Sequence, residues 1–219
     1  MTASVAQPPV RACNLWTPGL AKTPAYLAET SHLLVMAGLF IAQGCLHFPE
    51  HIAQFIQRFY LGTPANGILG DLNVEWVHVV YNWGLLLAMI PVVVGCGFFA
   101  RGNAWRRYNA VAWGGIMVSF WVQVWHAFEH YAKLAQYYRN LSLTPAVVPP
   151  DGPNAAGLVG QWLLTAWGPS AVVLLHFTVN LVVLIPIIYA FFACDMPGAL
   201  AARLRGEPQP VLAEATESR

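Results

Sequence analysis

Four long apolar stretches constrain the fold of this chain more than any other feature of the sequence. They cover approximately residues 31 to 59, 73 to 100, 108 to 140 and 170 to 194. About 20 mostly apolar residues in a helix cross a bilayer core of roughly 30 Å, so each stretch is long enough. The chain is 57% hydrophobic and 10% charged, whereas soluble domains have about 25% charged residues. We therefore predict an all-α integral membrane protein with four transmembrane helices.

The predicted four-helix membrane domain covers residues 31 to 195, between terminal segments at 1 to 30 and 196 to 219. The first apolar run begins too late for a signal peptide, so we expect the first helix to stay in the mature protein. Most Lys and Arg residues that flank the helices lie on the side of the two termini. Because basic residues favour the cytoplasmic side, both termini are expected there, in a protein of the cytoplasmic membrane.

Two sequence patterns each occur twice in the membrane domain. His-x-x-Glu-His occupies residues 47 to 51 and 126 to 130, and His-x-x-x-Asn starts at His78 and at His176. The first pattern falls on helices one and three, and the second on helices two and four. The repeat unit is therefore predicted to be a helix hairpin, at approximately 31 to 100 and 108 to 195. Two crossings separate the copies, so a pseudo-twofold axis along the membrane normal should relate them.

The repeated patterns predict a metal site near the outer face of the membrane. Residues at i, i+3 and i+4 share one face of a helix, as Glu-x-x-His sequences do in di-metal bundles. The predicted ligands of two metal ions are His47, Glu50, His51, His78, His126, Glu129, His130 and His176. The predicted helices supply no Lys or Arg in this layer, so bound cations would compensate the carboxylates. Copper and iron are the expected metals, and zinc also fits these ligands.

Several residues break the symmetry of the predicted site. Pro49 disfavours helix at Phe48, so the first His-x-x-Glu-His should be distorted. Glu75 precedes His78 by three residues, but Val173 is its counterpart, which makes Glu75 a candidate catalytic residue on a substrate side.

Other polar residues have simpler interpretations. Asn82 and Asn180 would either hydrogen-bond between helices or orient the ligand histidines. Gln43 and Gln123 do not coincide when the histidines are aligned, so we expect them to be packing residues. The short apolar segment that contains Trp162 and Trp167 cannot span a bilayer and is predicted to be interfacial or re-entrant.

Three functions fit a cluster of this kind. One is an oxidoreductase that oxidises, hydroxylates or desaturates an apolar substrate or a quinol, with three histidines on each metal ion. Another is a haem- or pigment-binding electron-transfer subunit, since two histidines on different helices can ligate a haem. The last is a metal-binding accessory subunit of a larger membrane complex or homo-oligomer. A purely structural hydrogen-bond network is the non-functional alternative. Nucleic acid is not an expected partner, because the net charge is only +1.

Overall fold

The computed structural model describes residues 25–70, 75–95, 110–143 and 156–207. These residues form α-helices and one π-helical segment, and no strand occurs among them, which confirms the all-helical prediction. The elements are α1 (Ala25–Phe40), the π segment (Ile41–His47), α2 (Phe48–Phe59), α3 (Glu75–Gly95), α4 (Ala110–Leu143), α5 (Leu158–Trp167), α6 (Pro169–Ala193) and α7 (Met196–Leu204).

Three helical segments have the length and apolar composition of membrane spans. They are Ser31–Phe59, which runs through α1, the π segment and α2, then Glu75–Val93 and Pro169–Ala193. This finding is consistent with a membrane protein. The fourth predicted span corresponds to α4, which is 34 residues long but is not among these three. Its apolar part contains Gln123 and His126, and these polar side chains lower the mean hydropathy of the helix.

The main helices pack side by side around a shared apolar layer. Helix α4 packs against α3 and α6, while α1 contacts α3 and α6. Met36, Met89, Ile116 and Ile187, one from each of these helices, are at most 2% exposed. Each lies ten or eleven positions from a histidine of the same continuous helical segment. At 1.5 Å per residue, that places the apolar layer roughly 16 Å from the histidines along the helix axes.

Pro49 has a different effect from the one that its position predicts. Phe48 has α-helical dihedral angles, φ −63° and ψ −37°, so the expected loss of helix at this residue was wrong. Instead, the distortion lies before it, where Ile41–His47 is π-helical. Pro49 falls in the first turn of α2, directly after the π segment. The π segment inserts one extra residue into the continuous helix.

Two short helices follow α4 and α6. Helix α5 has ten residues, too few to span a bilayer, and lies between Gly157 and Gly168. It coincides with the segment predicted to be interfacial or re-entrant. Helix α7 lies within the predicted C-terminal tail, of which residues 208–219 are outside the described residues. The buried side chain of Met196 joins the apolar core, so the beginning of this segment is packed on the other helices.

Candidate metal centre

Six of the predicted ligands come together in one buried cluster. The π segment, α2, α3, α4 and α6 each contribute at least one imidazole ring, and every ring belongs to a residue that is at most 7% exposed. The six residues are His47, His51, His78, His126, His130 and His176. The sequence patterns thus identified side chains that are distant in the chain and adjacent in the structure.

The first three histidines form one group, which we call group A: His47, His51 and His78. Their ring centroids are separated by 4.7, 5.8 and 6.0 Å. The Nε2 atoms of His47 and His51 are 3.2 Å apart. Two ligand nitrogens at about 2.0 to 2.1 Å from one metal ion would be roughly 2.9 to 3.4 Å apart. This spacing is therefore compatible with two ligands on one ion.

The other three histidines form group B: His126, His130 and His176. Their ring centroids are separated by 4.6, 5.2 and 5.7 Å. The two groups touch each other. His78 stacks on His130 at 5.3 Å, and His51 lies 6.3 Å from His176. The six rings consequently form a continuous cluster.

Hydrogen bonds fix the proton positions of two rings in group B. His130 Nδ1 donates to Glu75 Oε1 at 2.5 Å, and His176 Nδ1 donates to the carbonyl oxygen of Val172 at 2.9 Å. In the neutral ring the other nitrogen, Nε2, then carries a lone pair. Both Nε2 atoms are buried without a hydrogen-bond partner among the described residues. A ligand histidine typically donates its second N–H to a carboxylate or carbonyl in this way.

The third ring of group B is less constrained. His126 Nδ1 is buried and has no hydrogen-bond partner in the described part of the chain. Its Nε2 has only a long contact of 3.5 Å with Asn180 Nδ2. No short hydrogen bond therefore fixes which nitrogen of His126 carries the proton.

Glu75 and Lys133 correct one expectation about charge. Lys133 Nζ lies 2.8 Å from Glu75 Oε2, while the other carboxylate oxygen accepts from His130. The expectation that no Lys or Arg reaches the histidine layer was therefore wrong. Lys133 lies three residues after His130 on α4. Its long side chain allows the ammonium group to reach Glu75. Glu75 is 4% exposed, and its carboxylate directly contacts the His130 ring of the cluster.

The carboxylates of the two His-x-x-Glu-His patterns have other partners. Glu50 Oε2 accepts from the backbone N–H groups of Ile68 and Leu69 at 2.7 and 3.1 Å. Glu129 Oε1 accepts from those of Val159 and Gly160 at 2.8 and 2.9 Å, at the positively polarised beginning of α5. Both carboxylates therefore hold connecting segments, and their predicted role as metal ligands stays a prediction.

A glutamine near each of these glutamates holds the same connecting segment. Gln57 exchanges two hydrogen bonds with the backbone of Gly67, at 2.7 and 3.1 Å. Gln136 does the same with Gly157, at 2.9 and 3.0 Å. Since a carboxylate and an amide each form hydrogen bonds with the backbone of each segment, both connections are fixed to the helices that carry the histidines.

Gln43 and Gln123 make buried hydrogen bonds to asparagines, so their predicted role as packing residues was wrong. Gln43 Nε2 donates to Asn180 Oδ1 at 2.9 Å, and Gln123 Nε2 donates to Asn82 Oδ1 at 3.0 Å. Each asparagine also donates to the carbonyl of the histidine four residues earlier, at 2.9 Å. The extra residue of the π segment accounts for the one-residue offset in sequence.

Tyr81 is a further residue that the patterns did not identify. Its ring stacks on His47 with centroids 4.1 Å apart and an interplanar angle of 18°. Its hydroxyl is buried without a hydrogen-bond partner among the described residues. Tyr81 lies three residues after His78 on α3, a spacing that shares one helix face. This spacing from His78 is the sequence feature that could have identified Tyr81 as a neighbour of the cluster.

The geometry is not that of a closed, preformed metal site. Among the described residues, no three or more His, Cys, Asp or Glu side chains have their ligand atoms already arranged around one point. Cys45 and Cys194, the cysteines that the structure describes, form no disulfide.

Comparison of the chain with family models, curated proteins and solved structures finds no match.

Proposed function

We propose that this protein is an integral membrane metalloprotein that holds two transition-metal ions in the six-histidine cluster and acts as an oxidoreductase on an apolar substrate or a quinol. One observation carries the proposal. The Nε2 atoms of His130 and His176 are buried acceptors that have no partner among the described residues, while Nδ1 of each ring donates away from them. Leaving a buried acceptor unsatisfied costs about 1 to 3 kcal/mol, and a bound cation removes that cost.

The proposal includes a fourth membrane-spanning helix, α4. Its 34 residues exceed the roughly 20 that a bilayer requires. Its contacts with α3 and α6 would bury Gln123 and His126 away from lipid. The protein would then be a four-helix bundle, with both termini in the cytoplasm and the cluster toward the outer face of the cytoplasmic membrane.

The bundle would consist of two repeated hairpins related by a pseudo-twofold axis. Paired contacts support this arrangement. Gln43 with Asn180 mirrors Gln123 with Asn82. The Glu50 and Glu129 carboxylates likewise each accept from two backbone N–H groups of a following connection.

The ligand chemistry favours copper over iron. Non-haem iron sites commonly combine histidine with carboxylate ligands, whereas sites of imidazole alone suit copper and zinc. Glu50 and Glu129 are hydrogen-bonded to backbone, and Glu75 is shared by His130 and Lys133. The available donors are then the six imidazoles and Glu129 Oε2, which is buried without a hydrogen-bond partner among the described residues, so imidazoles predominate. Bound copper would supply one-electron redox chemistry, which zinc does not.

The crowding of the cluster also favours ions over haem. Neighbouring rings have centroids 4.6 to 6.3 Å apart around the whole cluster. A porphyrin would need a slot about as wide as its macrocycle between two axial histidines, and the other four rings occupy that layer. An accessory subunit that binds metal without turnover is the alternative that the ligand set supports equally.

Metal analysis of protein purified in mild detergent tests the proposal. Wild type is expected to contain up to two copper ions per chain. The variants His130→Ala and His176→Ala should contain less. The matched control is His32→Ala, which lies on α1, outside both patterns, and should retain the wild-type metal content. Absence of metal from wild type, together with no change in its spectrum or melting temperature on addition of copper, iron or zinc, would refute the metalloprotein.

A further inference from the structure

We infer that the two metal positions are unequal, and that group B (His126, His130 and His176) binds the first ion more tightly than group A (His47, His51 and His78) binds the second. This inference rests on the proposed function. It assigns an order of occupancy to two ligand sets that the repeated sequence patterns present as equivalent. Ring spacing, existing hydrogen bonds and charge each support the same order.

Ring spacing is the first argument. With metal–nitrogen distances of about 2.0 to 2.1 Å, three imidazoles on one ion have ring centroids roughly 4.5 to 5.5 Å apart. Group B has separations of 4.6, 5.2 and 5.7 Å. Group A has 4.7, 5.8 and 6.0 Å, so two of its three pairs must close. Group B requires the smaller movement to surround an ion.

The hydrogen bonds that already exist are the second argument. In group A, His51 Nδ1 donates to Gln54 Oε1 at 2.9 Å, so its Nε2 is an acceptor. His47 Nε2 lies 3.2 Å away and satisfies this acceptor. An ion in group A must replace that hydrogen bond. In group B the Nε2 atoms of His130 and His176 have no hydrogen-bond partner among the described residues, so an ion there displaces none at these two ligands.

Charge is the third argument. His130 donates to a carboxylate, Glu75, at 2.5 Å, whereas His51 donates to a neutral amide, Gln54, at 2.9 Å. A carboxylate partner increases the basicity of a ligand imidazole. Lys133 contacts the opposite oxygen of Glu75 and offsets part of its negative charge, while Oε1 accepts the hydrogen bond from His130. The better electron donor therefore belongs to group B.

Titration of metal-free protein with copper(II) tests the inference, because the two groups supply matched variants. His51 and His130 occupy equivalent positions of the repeated pattern. We expect His130→Ala to weaken binding of the first ion by at least tenfold. His51→Ala should leave the affinity for the first ion within about threefold of wild type and abolish binding of the second. Native mass spectrometry counts the ions, and electron paramagnetic resonance reports the nitrogen ligands of the first one.

A milder pair keeps the test decisive if a histidine variant does not fold. Glu75→Gln should weaken the first ion about 10 to 100-fold, and Gln54→Ala should leave it unchanged. Helical circular dichroism of the metal-free variants verifies their folding. Loss of the first ion from His51→Ala or Gln54→Ala, or equal weakening of both ions in each variant, would overturn the inference. If wild type binds no copper at all, the proposed function fails.

Discussion

Replacing Gly157 by Ala should destabilise the protein more than the same change at Gly168, although the two glycines have nearly the same backbone conformation. Gly157 has φ 85° and ψ −163°, and Gly168 has φ 79° and ψ −177°. This region is essentially restricted to glycine, and a side chain there costs about 1 to 3 kcal/mol. Both variants incur that cost.

The surroundings of the two glycines differ. A Cβ atom on Gly157 would collide with the Glu129 carboxylate, whereas no atom of the described residues lies within 4 Å of a Cβ on Gly168. Displacing Glu129 would disrupt its hydrogen bonds to Val159 and Gly160. Each hydrogen bond to a charged group contributes about 1.5 to 3 kcal/mol. We therefore expect an additional cost of at least about 2 kcal/mol for Gly157→Ala.

Thermal unfolding in one detergent, followed by circular dichroism, measures this difference. For chains of 150 to 250 residues, 1 kcal/mol shifts Tm by roughly 2 to 4 °C. Gly157→Ala should therefore melt about 4 to 8 °C below Gly168→Ala. In a Glu129→Gln background the difference should shrink, because the charge-assisted hydrogen bonds are already weakened. Equal melting temperatures for the two alanine variants would refute the reasoning.

Three other predictions concern topology, buried amides and metal binding. The Ser142→Cys variant should react with a membrane-impermeant thiol reagent in intact cells, whereas Ser218→Cys should react only after lysis. The reverse pattern would invert the predicted orientation. Gln123→Ala should lower the free energy of unfolding by about 1 to 3 kcal/mol, since it leaves Asn82 Oδ1 buried without its donor; an unchanged denaturation midpoint would contradict this. Asn180→Ala should weaken copper binding about 10 to 100-fold without abolishing it, as measured by competition with a chelator of known affinity.

The all-helical fold and the gathering of six histidines could be predicted because both follow from periodicity. Apolar stretches of the required length predict helices in lipid. Polar residues within such helices face their neighbours instead of lipid. Those two principles predict one layer of histidines, and in the structure His51 of α2 lies 6.3 Å from His176 of α6. The fourth span and the repeat stay predictions.

The remaining features depend on contacts that periodicity does not encode. The π segment adds a single residue between Gln43 and His47, so a fixed alignment of the repeat misses the equivalence of Gln43 and Gln123. The partner of Glu129 is the backbone of α5, a segment whose position the sequence does not specify. Lys133 lies three residues after His130 on α4 and pairs with Glu75 of α3, a partner on another helix that the sequence does not specify.

The division of contacts between the two halves of the chain suggests how the protein is assembled during biosynthesis. Glu50 and Glu129 hold connections only 18 and 30 residues further along their own halves. The Gln43 contact with Asn180 crosses between halves, over 137 residues, and each histidine group draws rings from two helices of one half. Each half could therefore close on itself soon after it leaves the ribosome, while the continuous six-ring cluster comes into existence only when the second half docks.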